Sequence, residues 1–275
     1  MASAHGVLTA VLSVRDGRIR ASVGRTISRI NADLLLKRLW IGESDDATVD
    51  HLRQVASACG AVPAALLDGL HERRGTAARR LAARRGLVAT PVRITPRWRM
   101  VVGHGEDTAH ETSLTMSPTW GVPIIPGSAL KGVAASQARA AHGDPLPDRI
   151  ARLFGTPRPG ESTVDDVVAT RGAVTVLDAL PVGPPDVVVD VLTPHVKPYY
   201  DKDAAKQPKE PPAEYHSPVP VRFLAVAATA FQCWLVGPKG DVGCFAALLQ
   251  GGADDLGIGG KTAAGYGYCA VEVQQ

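Results

Sequence analysis

Cysteine is scarce in this chain, and Cys59, Cys233, Cys244 and Cys269 form no Cys-x-x-Cys pair and have no ligand partner at metal-site spacing. That points away from a disulfide framework and from a zinc site, and leaves four reduced thiols for the core. Long apolar runs are also lacking. No window reaches the roughly 18 apolar residues of a membrane span, and Met1 to Val14 carries no basic leader ahead of a long apolar stretch, so the expectation is a cytoplasmic protein without membrane contact. Internal repeats are absent. At 275 residues and 45% apolar content, the chain is expected to be one elaborated domain over 1–275.

Acidic charge is outnumbered in one half. Residues 1–100 hold 17 Lys and Arg against 8 Asp and Glu, and residues 101–275 hold 13 against 19, so the halves carry +9 and −6. Arg73, Arg74, Arg79, Arg80, Arg84 and Arg85 lie in an alanine-rich helical stretch that fits a polyanion or an acidic protein face. A solvated helix face explains the same pattern, because Arg79, Arg80, Arg84 and Arg85 spread over more than half of a helical wheel.

The pattern of elements indicates an α+β fold. Val7 to Val14 and Arg18 to Val23 flank Asp16-Gly17, a hairpin turn signal. Helices are expected at Asn31 to Trp40, Val49 to Ala58, Pro63 to Arg73 and Thr76 to Arg85, the last pair divided at Gly75, which makes 1–90 a hairpin plus a helical insert. From Pro91 the texture turns to strand at Val92 to Val102. A helix follows at Ala129 to Ala141, opened by Pro126-Gly127-Ser128 with Ser128 as the N-cap. Strands at Ala173 to Leu180, Val187 to Leu192 and the long run Val221 to Val236, a helix at Asp241 to Gln250 and a last strand at Tyr266 to Val273 complete the order. Over 91–275 this is the order of a ferredoxin-like β-α-β-β-α-β unit carrying a long loop at 193–220.

Leu256 to Gly267 is glycine-rich and contains Gly260-Lys261-Thr262. A nucleotide phosphate loop needs a glycine five residues before Gly260; that position is Asp255, and the loop follows a helix instead of preceding one. ATP and GTP are therefore rejected, and no cofactor is expected. Gly257, Gly259, Gly260, Gly265 and Gly267 offer backbone freedom and N–H groups unshielded by Cβ, with Lys261 as a point charge and Thr262 beside it, which suits RNA phosphates; an irregular turn is the bland alternative. Tyr266 could present a ring to a base, or pack inward. A second anion candidate is Ile125 to Gly132. There Gly127, Ser128 and Lys131 open a helix, and a bound phosphate would relieve the unfavourable placement of a lysine in the first turn.

Taken together, Pro126-Gly127-Ser128-Ala129-Leu130-Lys131-Gly132 and the glycine loop resemble the RAMP superfamily of CRISPR-associated proteins. Within it the likeness is to the sixth RAMP subunits of type III-B, or Cmr, effector complexes. Further stretches carry it: Thr119 to Ser128, Val176 to Pro181, Asp190 to His195 with Tyr199-Tyr200, and Pro218 to Leu224. The likeness covers about residues 87–275 and leaves the arginine-rich insert unexplained. It implies a non-catalytic backbone subunit of an antiviral ribonucleoprotein. Its partners would be guide RNA near the 3′ side, single-stranded target RNA, neighbouring backbone subunits and a small helical subunit.

Catalysis has weaker signals. His104, His110, His195 and His216 are the candidates for metal-independent general acid-base cleavage of RNA, the alternative reading. Glu106, Asp107 and Glu111 lack a second carboxylate cluster for two-metal chemistry, so no metal site is expected. Asp178 and Asp190 read as local hydrogen-bond acceptors. Lys197, Tyr199, Tyr200, Lys202, Lys206 and Lys209 form the lysine-aromatic mixture of single-stranded RNA grooves, or equally a protein-contact arm.

Overall fold

The computed structural model of the chain describes residues 30–39, 45–104, 112–155, 170–194, 215, 218 and 220–274. The expected N-terminal hairpin lies outside them, as do His110, His195, Tyr199, Tyr200 and the lysines of the 195–214 stretch.

The fold is α+β with antiparallel sheets. Strand β1 (Val88–Pro96) pairs with both β6 (Phe231–Gly237) and β7 (Cys269–Val273), and the short β2 (Thr175–Val176) and β3 (Leu180–Pro181) line the far edge of β6. The order is β2-β6-β1-β7, and a second, two-stranded sheet joins β4 (Val187–Leu192) to β5 (Val221–Val226). Alternation along β6 decides what covers each face. Phe231, Cys233 and Leu235 point into the main core with Val92 and Ile94, where α4 (Gly127–His142) and α6 (Lys239–Asp255) pack. Trp234 and Val236 point the other way, onto Ala78 and Ala82 of α3 (Ala64–Ala83).

Both faces of the sheet are thus covered, and the arginine-rich insert is part of that arrangement. Helices α1 (Ala32–Arg38) and α2 (Asp45–Gly60) contribute Leu35, Leu36, Leu52 and Val55 to the main core. The Asn31 side chain caps α1, accepting from the Asp33 and Leu34 N–H groups at 2.9 and 3.3 Å.

Several expectations change, and the one strand expected at Ala173 to Leu180 is the two short strands β2 and β3. The two helices expected on either side of Gly75 are one, because Gly75 faces the sheet: a Cβ there would lie 2.8 Å from Cζ2 of Trp234. The glycine is a close-approach residue, not a breaker. The long run expected at 221–236 is two strands in different sheets, divided at Ala227–Ala230: β5 is laddered with β4 and meets Met100 by an isolated bridge at Val226, whereas β6 joins the main sheet. A helix absent from the sequence reading, α5 (Asp148–Phe154), follows Pro147 and carries Asp148 in its first turn. Finally, α4 begins at Gly127 with Pro126 as its cap residue, so Ser128 is an exposed second-position residue and Lys131 sits one turn in.

The glycines of α3 yield a contrasting pair. Gly69 has open space where a Cβ would stand, so Gly69→Ala is expected to raise stability by about 0.5–1 kcal/mol through helix propensity. Gly75→Ala is expected to lower it by about 1 kcal/mol or more, because overpacking against Trp234 outweighs the same gain. Urea unfolding of both variants reads the difference, and equal stabilisation would contradict the close packing.

Candidate functional site

Helix α6 ends at Asp255, and Ile258, fully buried, plugs the glycine loop into the core. Around that plug the backbone makes two very close approaches. Gly259 and Gly267 both have positive φ, at 94° and 80°, and a Cβ on either would lie 2.2 Å from the Val101 or the Ile258 carbonyl oxygen. Conformation and space exclude a side chain at both. The loop is stitched down by Gly260 N–H donating to Val101 O at 2.7 Å, Gly267 N–H to Arg99 O at 2.8 Å and Ile258 N–H to Gly267 O at 2.7 Å.

This corrects one element of the sequence reading. The N–H groups of Gly257, Gly260, Gly265 and Gly267 are not open to a ligand; they are taken by the carbonyls of Gly252, Val101, Thr262 and Arg99. The glycines shape the loop. Without a backbone partner among the described residues are the N–H of Gly259 and, at the start of a single 3₁₀ turn (Thr262–Ala264), those of Lys261, Thr262 and Ala263. Lys261 adopts φ 60°, ψ 28°, the one non-glycine with positive φ among the described residues. A left-handed residue followed by a helical turn orients successive N–H groups toward one concavity, the geometry of an anion nest. The backbone strain of that lysine costs about 1 kcal/mol or more and is held by its surroundings. Its ammonium stands 4.8 Å above the Phe223 ring, and burial holds its pKa below the usual lysine value.

Beneath the loop runs a chain of ring contacts. Phe223 meets His104 and Tyr266 with centroids 5.7 and 5.6 Å apart, and Tyr266 meets Trp98 at 5.0 Å. Tyr266 itself is 3% exposed, so its ring supports the loop and offers no open face; the exposed ring of this cluster is Trp98, at 52%. Sequence reasoning passed over Trp98, although Arg97-Trp98-Arg99 directly after a strand was the available signal. The Arg99 guanidinium lies 5.2 Å from the Trp98 ring centroid.

Asp190 ties this cluster together. Its carboxylate accepts from Arg99 Nη1 at 2.5 Å and from the Tyr266 hydroxyl at 2.7 Å. Burial by itself would raise the Asp190 pKa, but the hydrogen bonds from Tyr266, Arg99 and the Val191 N–H together hold it below the carboxylate range. Burial and the Asp190 partner push the Tyr266 hydroxyl up to about 12. The reading of Asp190 as a local acceptor holds. Burial, and after it the Lys261 charge, push His104 below the usual histidine value, so it is neutral near pH 7. Asp255, which ruled out a nucleotide loop, is exposed and accepts from Gln137 Nε2 at 2.9 Å, tying the end of α6 to α4.

The second candidate surrounds the start of α4. Gly127 packs so tightly under β2 that a Cβ would lie 2.3 Å from Val176 O, and its N–H donates to the Asp178 carboxylate at 2.8 Å. Asp178 therefore caps α4 from outside, in place of Ser128. A cleft of about 220 Å³ opens beside it, lined by Gly127, Ser128, Lys131 and Arg171 among others. Lys131 is held below the usual lysine value, first by burial and then by the Arg171 charge. Two cations facing one cleft at a helix start is an arrangement that an anion relieves. The glycine loop packs on 99–104 and Phe223, whereas the α4 start packs on β2 and Arg171, so they are two patches on different parts of the molecule.

Among the described residues no three His, Cys, Asp or Glu side chains cluster as a metal would need, and no helix is long and apolar enough to cross a membrane.

Residues 90–270 match the RAMP superfamily, and the chain belongs to it. More particularly, it is similar to the CRISPR system Cmr subunit Cmr6 of Pyrococcus furiosus, with 29% identity over 220 residues, 62% of this chain and 64% of that protein. The match thus spans just under two thirds of that relative's length. In fold it is similar to a chain of the type III-B Cmr-beta complex bound to cognate target RNA, with a TM-score of 0.54 at 22% identity over 96% of this chain and 78% of the other.

The Asp190 network sets a pH dependence. A lowered folded pKa means that the stabilisation is complete above the ordinary carboxylate value near 4 and is lost as pH falls through the folded value. The raised Tyr266 pKa works oppositely: its contribution is complete below about pH 10 and is lost as pH climbs toward 12. Melting temperature against pH is expected to show a shallower acid limb in Asp190→Asn and a shallower alkaline limb in Tyr266→Phe. Wild-type limbs in both variants would contradict the coupling.

Proposed function

We propose that this protein is a non-catalytic RNA-binding backbone subunit of a type III-B CRISPR effector, holding guide RNA and target RNA near the guide 3′ side. The four-stranded order β2-β6-β1-β7, with α4 and α6 on one face, supports a ferredoxin-like RAMP unit with the N-terminal elements added to it as part of one domain. The Pyrococcus relative is by name a Cmr subunit, and the fold neighbour comes from a complex holding target RNA. By that likeness the partners are neighbouring RAMP subunits and a small helical subunit, in the cytoplasm.

The observation that carries the RNA reading is the Lys261 nest. A strained lysine, three N–H groups without partners among the described residues and an exposed Trp98 connected to it through Tyr266 and Phe223 form a surface suited to a phosphate with a base stacked nearby. Recognition through phosphates is indifferent to sequence, as a guide carrying any spacer requires. Lys131 and Arg171 supply a second phosphate contact at the α4 start.

Lys261→Ala and Lys131→Ala are each expected to flatten the plot of log affinity against log salt for an unstructured RNA by about 0.7, the value for one phosphate contact on a single strand. Slopes unchanged in both would remove the basis of the reading. A second reading, a metal-independent endoribonuclease, rests on neutral His104 beside Lys261. Incubation of the purified chain with a labelled repeat RNA in EDTA separates the two: we expect the RNA to stay intact, and specific cleavage abolished by His104→Ala would reverse the assignment.

A further inference from the structure

The arginine-rich helix is absorbed only in part by the fold. Arg74 donates to the Asp178 carbonyl, and the Arg79 guanidinium lies 5.3 Å from the Trp234 ring centroid, so these two fasten α3 to the sheet and to the β2-β3 connection. Arg73, Arg80 and Arg84 point elsewhere; all three are exposed. At 100° per residue they fall within about 40° of one another on the helix, with rises of about 10 Å and 6 Å between them. The six arginines look scattered as a set, but of the four not used in packing, Arg73, Arg80 and Arg84 form a stripe, Arg84 as the cap residue that continues the helical geometry past Ala83, while Arg85 falls about 100° off it.

The acids of α3, Asp68 and Glu72, fall about 140° and 100° from Arg73 around the helix, off the stripe. From Arg73 to Gly105 the sequence contains nine arginines and no aspartate or glutamate. The residues between the stripe arginines on the same side are Thr76 and Ala77, which are small and allow close approach. No aromatic, Met or Leu stands there to anchor a protein partner, and protein interfaces take their affinity from such anchors at the centre, with charges confined to the rim. A regularly charged polymer needs no anchor. Guanidinium groups suit it, being weakly hydrated and able to take a phosphate through two hydrogen bonds.

We propose that the outer face of α3 is a second RNA-backbone contact, in which Arg73, Arg80 and Arg84 bind successive phosphates. It lies on the sheet face opposite α4 and α6 and is separate from the glycine loop. The proposal rests on the RNA-binding reading for its choice of ligand, and the test keeps the two apart.

The full chain carrying Arg73→Ala, Arg80→Ala and Arg84→Ala is titrated with a fluorescently labelled, unstructured 30-nucleotide RNA over a range of salt, beside wild type and the Lys131→Ala/Lys261→Ala protein. Alanine keeps the helix, which far-ultraviolet circular dichroism verifies. The expected result is a salt slope flatter by about 2 in the triple variant, from three contacts at about 0.7 each, and recovery of most of the slope with lysine at the three positions. A control removing Arg139 and Arg149, exposed cations of α4 and α5, is expected to leave the slope unchanged.

An unchanged slope in the triple variant overturns the proposal, and so does an equal fall in the control, which would mean that the charge acts diffusely. If the arginine variant keeps its RNA slope yet loses affinity for a poly-glutamate peptide, the stripe binds an acidic protein and the proposal is again overturned. Flattening by the lysine pair alone leaves the glycine-loop reading standing without this one; flattening by the arginines alone does the reverse.

Discussion

Backbone lying directly on backbone, with no Cβ between, is the contact on which the candidate site depends. Gly259 against Val101 and Gly267 against Ile258 bring carbonyl oxygens to where a side chain would begin, and the hydrogen bonds to Arg99 and Val101 fix the loop as an extra rung beyond β1. Everything exposed at the site follows from that seating. Lys261 is forced into the left-handed region, its N–H and those of the next two residues are left without a partner among the described residues, and Tyr266 is driven under the loop against Phe223 and Asp190. A larger residue at Gly259 or Gly267 would lift the loop and dissolve the nest with it.

The same logic of close approach recurs at Gly75 and Gly127, where helices α3 and α4 press on Trp234 and on Val176. In each case the glycine lets a helix sit nearer the sheet than any side chain would allow, and a polar or cationic group benefits. At Gly75, Arg79 reaches the Trp234 ring; at Gly127, the N-terminus of α4 receives the Asp178 carboxylate and leaves Lys131 beside Arg171.

Much of this was legible in the sequence. Helices α1, α2, α4 and α6, strands β1, β4 and β7, and both glycine-bearing motifs could be located from periodicity and turn residues, and Asp178 and Asp190 were readable as acceptors. What was not legible is instructive. A glycine inside a helix reads as a break, because periodicity carries no information about the partner it presses on; Gly75 shows the cost of that. The division of 221–236 into two sheets was hidden since both halves are apolar and β-branched, and only pairing partners distinguish them. The glycine loop looked like a display of free N–H groups because sequence cannot show which carbonyls already occupy them. Trp98 and Tyr266 exchange roles for the same reason: which of two nearby rings is exposed depends on the fold of the loop between them.

The central claim is that RNA lies along the Lys261 nest and the Trp98 ring. Ultraviolet crosslinking of the assembled ribonucleoprotein, followed by mass spectrometry of the peptides, tests it most directly. The account predicts nucleotide adducts within residues 97–104 and 261–266. RNA adducts on other segments of the chain, with both of these free of them, would contradict it.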